Sequence, residues 1–327
     1  MPVLSEIRWG MIGCGDVTEK KSGPAFSKIK GSRLLAVASR TPARAEDYAR
    51  RHHIPRWYSR PDDLIQDPEI NAIYIATPPD SHLYYTLKVA AVGKAVYVEK
   101  PMARHQQESE QMIEACRKAH VPLYVAYYRR RLPKFLKVKE LLDSKVIGEV
   151  RAVTITLLLR PRPEDLNKES LPWRVIPEIA GGGYFVDLAS HQLDLLDYLL
   201  GPIAEAFGHK ANQAGLYPAE DAVSAHFCFR NGILGNGLWC FTVSKSNQMD
   251  RIEIIGSSGT ISFSCFDPSA VRMVADQGQQ EFILPWPEHV QQPLIQTIVD
   301  ALRGRGECPS TGESAIRTTA VMDAILR

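Results

Sequence analysis

Residues 6–128 alternate between short β-branched or aromatic runs and amphipathic helical stretches, and no other feature narrows the possible folds as much. The candidate strands are Glu6–Ile12, Arg33–Ala38, Arg56–Tyr58, Asn71–Ala76, Ala95–Val98 and Pro122–Tyr128. Helical patterns lie between them, notably Pro42–Arg51, Ser81–Val92 and His105–Ala119. A helix between two strands carries the chain back to start a parallel neighbour. The pattern therefore predicts an α/β doubly wound parallel sheet. In such a sheet ligands bind outside the carboxyl ends of the strands, so the residues that leave those ends are the first candidates for a site.

Four strand ends carry distinctive residues. The first runs into Gly13-Cys14-Gly15-Asp16-Val17-Thr18. A strand, a glycine turn and a helix start form a dinucleotide-binding turn, where backbone N–H groups can approach a pyrophosphate. Thr18 stands where the third glycine of that fingerprint is expected. The second strand ends in Ser39-Arg40-Thr41, without the acid that accepts hydrogen bonds from an adenosine ribose. Two hydroxyls and a guanidinium suit a 2′-phosphate instead, which points to NADP, with NAD as the other cofactor. The fourth ends in Thr77-Pro78-Pro79, whose prolines stop the strand and aim a loop over the same edge. The fifth ends in Glu99-Lys100-Pro101, which is either a surface turn or the floor of an active site.

After Tyr128 the pattern changes. A helix (Pro133–Ser144) is followed by eight candidate strands: 149–160, 205–213, 222–229, 233–243, 251–255, 259–265, 271–275 and 281–284. Asn231-Gly232 and Ser257-Ser258-Gly259 mark turns between some of them. Many strands with few helices predict a C-terminal α+β domain built on a mainly antiparallel sheet, with domains over 1–128 and 129–327. A formal charge of +2 over 327 residues provides no field for nucleic acid or an anionic membrane surface. The six scattered cysteines lack a C-x-x-C pair and suit reduced thiols in the cytoplasm. The first nine residues lack the apolar core of a signal peptide, and no apolar run reaches membrane-spanning length.

One stretch interrupts the second sheet: Trp173-Arg174, then Gly181-Gly182-Gly183, then Asp187 and His191. Asp187 and His191 are four residues apart and share one helical face. They read either as a surface ion pair or as an acid–base pair. A metal reading lacks a third ligand, so none is expected.

Taken together, the residues resemble the Gfo/Idh/MocA oxidoreductase family. The resemblance rests on Gly13-x-Gly15, Thr77-Pro78 with His82, Glu99-Lys100-Pro101, Arg129 with Pro133, Trp173-Arg174, and Gly182-Gly183-x-x-x-Asp187-x-x-x-His191. It implies a Rossmann domain plus a second domain whose open sheet often forms the interface of a dimer or tetramer. It also implies NAD(P) chemistry on a sugar, cyclitol or related alcohol or ketone. Lys100, Asp187 and His191 would then be catalytic, with either Lys100 or His191 moving the proton. Gly13, Cys14, Gly15, Asp16, Val17, Ser39, Arg40, Thr77, Pro78, His82, Glu99 and Lys100 would line the cofactor. Tyr128, Arg129, Trp173, Arg174, Asp187 and His191 would face the substrate. Two positions depart from the family pattern: Tyr128 replaces its usual Asn, and Ser39 its ribose-binding acid. The family also contains dihydrodiol dehydrogenases and glycosidases that use the cofactor without net redox change. A non-catalytic nucleotide sensor would show a broken catalytic set, and here the set is complete.

Overall fold

The structure is a computed structural model and describes residues 3–276 and 278–327. In chain order it begins with β1 (Ile7–Ile12) and a π-helical turn (Thr18–Ser22) that runs into α1 (Gly23–Lys28). There follow β2 (Ser32–Ala38), α2 (Pro42–Arg51), β3 (Arg56–Tyr58), α3 (Pro61–Gln66), β4 (Ala72–Ile75), α4 (His82–Ala91), β5 (Ala95–Val98), α5 (Gln106–Lys118) and β6 (Leu123–Val125). The middle of the chain holds α6 (Pro133–Asp143), β7 (Val150–Leu158), α7 (Pro177–Ala180) and α8 (Ser190–Leu200). Then come β8 (Ile203–Ala211), β9 (Ala222–Phe229), β10 (Leu234–Cys240), β11 (Met249–Gly256), β12 (Gly259–Phe263), β13 (Val271–Ala275) and β14 (Gly278–Phe282). Two helices follow, α9 (Gln292–Leu302) and α10 (Gly312–Ile325), and neither was expected from the sequence pattern.

The chain packs into two compact units. One contains the residues up to Tyr128 together with Pro287–Ile316, and the other contains Arg129–Trp286 with Arg317–Arg327. The first unit is a six-stranded sheet in the order β3-β2-β1-β4-β5-β6. Every strand pair in it is parallel. One sheet face is aliphatic: Ile12, Ile73, Ile75, Val96 and Val98 pack against Leu64, Val89, Met112 and Cys116 from the helices. The other face is aromatic. Trp9 meets Phe26 at 5.0 Å, and Tyr74 stacks on Tyr97 at 4.8 Å between ring centres. Each such side chain taken out of water contributes about 1.5–3 kcal/mol, so both faces drive the sheet inward. The expected strand over 122–128 is shorter than the sequence suggests. The Tyr127 N–H folds back onto the Val125 carbonyl at 2.8 Å, and Tyr128–Arg131 forms a 3-10 turn.

The second unit is an eight-stranded sheet in the order β14-β13-β12-β11-β7-β10-β9-β8. All its neighbours are antiparallel except β7 and β10, which run parallel. Burial alternates along β7, β9 and β10, so one face is covered and the other open. On the covered face Trp239 meets Phe185 edge-on at 5.0 Å and donates its indole N–H to Gln192 of α8 at 2.7 Å. Among the described residues no helix is long and apolar enough to cross a membrane.

Candidate active site

The parallel register of the first unit places four strand ends at one level. Ile12 is paired with Ala38 on β2 and with Ile75 on β4, and Ile75 is paired with Val98 on β5. The chain therefore leaves the sheet at one edge at Gly13, Ser39, Ala76–Thr77 and Glu99–Lys100. These are the segments expected to hold a dinucleotide.

Gly13 has φ +108°, and a Cβ on it would lie 2.5 Å from the Ala76 carbonyl oxygen, so only glycine fits this turn. Its N–H donates to Ala38 at 2.8 Å. At Gly15 a Cβ would meet nothing within 4 Å, which leaves open space where a pyrophosphate would approach the backbone. The Thr18 hydroxyl donates to the Gly15 carbonyl at 2.7 Å and closes the turn. The tight helix packing expected of a third glycine is supplied by Gly23, where a Cβ would strike the Tyr48 hydroxyl and the Thr18 carbonyl. Burial pushes the Cys14 thiol up to about 12, which keeps it protonated near neutral pH. Asp16 is exposed and Val17 half-buried. At the second strand end the Ser39 hydroxyl accepts the Thr41 N–H at 3.3 Å, and Arg40 is exposed. This edge has the cradle and the open backbone that a bound NAD(P) requires.

Two further segments are stitched together by His82, which is fully buried. Its Nε2 lies 2.8 Å from the Thr77 carbonyl, and its Nδ1 lies 3.1 and 3.2 Å from those of Pro101 and Met102. Burial pushes its pKa down, against the pull of those carbonyls. The ring thus ties the Thr77-Pro78 loop to the Lys100-Pro101 turn, whose peptide bond is cis. The Ser81 hydroxyl donates to Thr77 at 2.8 Å and tightens the first loop. Glu99 is buried under the edge. Its Oε1 accepts the Tyr74 hydroxyl at 2.5 Å and the Gln291 amide at 2.6 Å, and its Oε2 accepts the Lys100 N–H at 3.2 Å. Gln291 in turn accepts the Tyr97 hydroxyl at 2.7 Å. Nothing in the sequence marked Gln291, because one amide beyond the sheet leaves no periodic trace. Lys100 itself is half-buried.

The other candidates belong to the second unit. Gly181 ends α7 in a left-handed conformation, and Glu220 accepts the Gly183 N–H at 2.8 Å. A π-helical turn (Phe185–Ala189) carries Asp187 and runs directly into α8, which carries His191, and the two residues are 9% and 4% exposed. Arg174 pairs with Asp187 at 3.3 Å, and its guanidinium lies 4.4 Å over the Trp173 ring. Trp173, Arg174 and Asp187 therefore meet within the second unit. Asp194, three residues past His191, belongs elsewhere: Arg130 grips it with two hydrogen bonds at 2.9 and 2.6 Å. Arg129 donates to the Cys265 carbonyl at 2.9 Å, and Tyr128 is buried at the start of the same turn. Among the described residues no three His, Cys, Asp or Glu side chains cluster to hold a metal ion.

Comparison with known proteins agrees with the fold. Residues 7–127 match the family model "Oxidoreductase family, NAD-binding Rossmann fold", and residues 135–262 match "GFO/IDH/MocA C-terminal domain". Oxidoreductase P35 of Formosa agariphila is 41% identical over 98% of this chain and 98% of its own. The scyllo-inositol 2-dehydrogenase (NAD(+)) of Bacillus subtilis is 26% identical over 96% of this chain and 89% of its own. Levoglucosan dehydrogenase, solved with NADH and levoglucosan, superimposes with a TM-score of 0.86 at 23% identity, over 98% of this chain and 96% of its own, and shares the fold. With both domain models matched and a close relative along nearly the whole length, the chain belongs to the Gfo/Idh/MocA family of NAD(P)-dependent oxidoreductases.

Proposed function

We propose that the protein is an NADP-preferring oxidoreductase that moves a hydride between the nicotinamide and a sugar, cyclitol or related alcohol or ketone, with Lys100, Asp187 and His191 as its catalytic group. The observation that carries this reading is the alignment of four strand ends at one sheet edge, with Lys100 leaving the last of them. The sugar-like substrate class is supported by relatives named as a scyllo-inositol dehydrogenase and a 1,5-anhydro-D-fructose reductase. The NADP preference is supported by the exposed Arg40 between two hydroxyl residues at the end of β2, where no acid stands.

Hydride chemistry would come from a nicotinamide held at this edge. Gly13 to Val17 would take the pyrophosphate on backbone N–H groups, and Ser39 and Arg40 the 2′-phosphate. Thr77, Pro78 and the loops braced by His82 would border the nicotinamide. Glu99 supports Lys100 from below through its backbone N–H. Removing hydride from a carbinol carbon requires that the hydroxyl proton leave as well. His191 takes or returns that proton, since an imidazole titrates closest to neutrality. The Lys100 ammonium holds the substrate oxygen for transfer. Asp187, braced by Arg174, orients the imidazole. Arg129, Tyr128 and Trp173 contact the substrate.

Substitution of Lys100 by Met tests the assignment. The expected result is a fall in kcat of about 10³-fold or more, with NADP affinity by thermal shift nearly unchanged. Full turnover by the variant would overturn it. In parallel, Arg40→Ala should weaken NADP binding about tenfold and leave NAD binding nearly unchanged, measured by titration calorimetry.

A further inference from the structure

We propose that Phe266, on the turn after β12, is a positioning residue that holds and shields the His191 imidazole. The inference rests on the reading of His191 as the proton-transfer group. The Phe266 ring lies edge-on to the imidazole, with centroids 6.0 Å apart and planes at 74°. Its face lies 4.6 Å under the Arg129 guanidinium. One phenyl ring therefore touches two side chains that the proposed function uses, one from the junction at Arg129 and one from α8.

The turn that carries this ring is fixed to an extent that an ordinary surface turn is not. Asp250 on β11 accepts the backbone N–H groups of both Cys265 and Phe266 with one carboxylate oxygen, at 2.8 and 2.7 Å. Arg129 donates to the Cys265 carbonyl at 2.9 Å, so it clamps the turn by hydrogen bond and by ring contact together. On the far side the buried Lys134 donates to the Ser264 hydroxyl and to the Asp267 carbonyl, both at 2.9 Å. Buried polar groups committed in this way leave the turn one arrangement, because each alternative would strand a donor or a charge away from water. His191 is 4% exposed while Phe266 is half-buried, so the imidazole is the more enclosed ring of the pair. A rigid apolar ring packed against it limits the orientations open to the imidazole and keeps water from the face it covers.

The test compares Phe266→Ala, Phe266→Leu and His191→Asn in the full chain. Two readouts are followed: steady-state kinetics, and the rate of carbethoxylation of the His191 peptide by diethyl pyrocarbonate, read by mass spectrometry. Phe266→Ala should lower kcat about tenfold, with the substrate KM and NADP affinity within about threefold of the parent. It should also raise the modification rate at His191 several-fold. Leucine restores the apolar volume and should return both values most of the way. Unchanged modification of His191 in Phe266→Ala overturns the proposal. So does an unchanged kcat in that variant when His191→Asn is inactive. Should Phe266→Ala fail to fold, Phe266→Leu against parent is read with Asp250→Ala, which removes the oxygen that accepts both turn N–H groups while keeping the ring and should raise the modification rate. No rise there overturns the proposal as well. If His191→Asn keeps full turnover, the catalytic reading of His191 falls, and the modification rates still decide whether Phe266 positions it.

Discussion

Gly13 and Gly15 stand two residues apart and are constrained by different things. At Gly13 the fold itself forbids a side chain, since a Cβ would sit 2.5 Å from a backbone oxygen at φ +108°. At Gly15 the fold allows one, since a Cβ would meet nothing within 4 Å. Gly13→Ala should therefore destabilise the protein with no ligand present, by about 1–3 kcal/mol in urea unfolding. Gly15→Ala should leave unfolding unchanged and weaken NADP binding at least several-fold, because its methyl group would occupy the space the pyrophosphate needs. Equal losses of stability in both variants would show that neither position is specific to the ligand. This difference was only half legible in the sequence. The two glycines marked the turn, but the atom opposite Gly13 is the carbonyl oxygen of Ala76, just past β4 and more than 60 residues away. Gly23 was invisible for the same reason, since its requirement comes from Tyr48 on α2.

At the scale of elements, the strand ends were readable because each is punctuated by residues that cannot continue a strand: glycines, Thr-Pro-Pro, Glu-Lys-Pro. The end of β6 was overread because Ala126-Tyr127-Tyr128 continues a β-favouring pattern while a backbone hydrogen bond to Val125 turns the chain. The support beneath β5 was not readable. It comes from Gln291, at the start of α9, in a segment that returns to the first unit after the whole second sheet. That one side chain joins Glu99 to the Tyr97 hydroxyl in a buried setting. Gln291→Ala should leave both groups short of a partner and lower the unfolding free energy by about 2–4 kcal/mol. The control is Gln296→Ala, five residues along the same helix, which loses only a part-buried contact with Asp300 and should cost under about 0.5 kcal/mol. Because Glu99 also accepts the Lys100 N–H, Gln291→Ala should lower kcat as well, whereas Gln296→Ala should not.

At the scale of the molecule, the second sheet covers one face with its own helices and leaves the other open. Register places Phe207 of β8, Leu234 and Leu238 of β10, Met249 of β11 and Val274 of β13 on that same open face. All are substantially exposed, Phe207 at 63% and Leu234 at 62%. Five exposed apolar side chains from four of the eight strands thus share one face, the kind of surface another protein covers. A second copy of the chain is the natural cover. A face-to-face, two-fold pairing of identical sheets matches each apolar strand with another and closes without leaving an end for further growth. The alternation of exposed and buried residues was legible along each strand, but that the exposed positions line up as one surface depends on strand order, which no local pattern encodes. The protein is therefore expected to run as a dimer or tetramer of its 36.5 kDa chain in size-exclusion chromatography with light scattering. The double variant Leu234→Lys/Leu238→Lys should shift it to the monomer mass, since facing ammonium groups repel and cannot be desolvated cheaply. Secondary structure should be retained, because both side chains point away from the sheet's covered face. A parent that is already monomeric, or a variant whose assembly is unchanged, would place the interface elsewhere and leave this face to another partner.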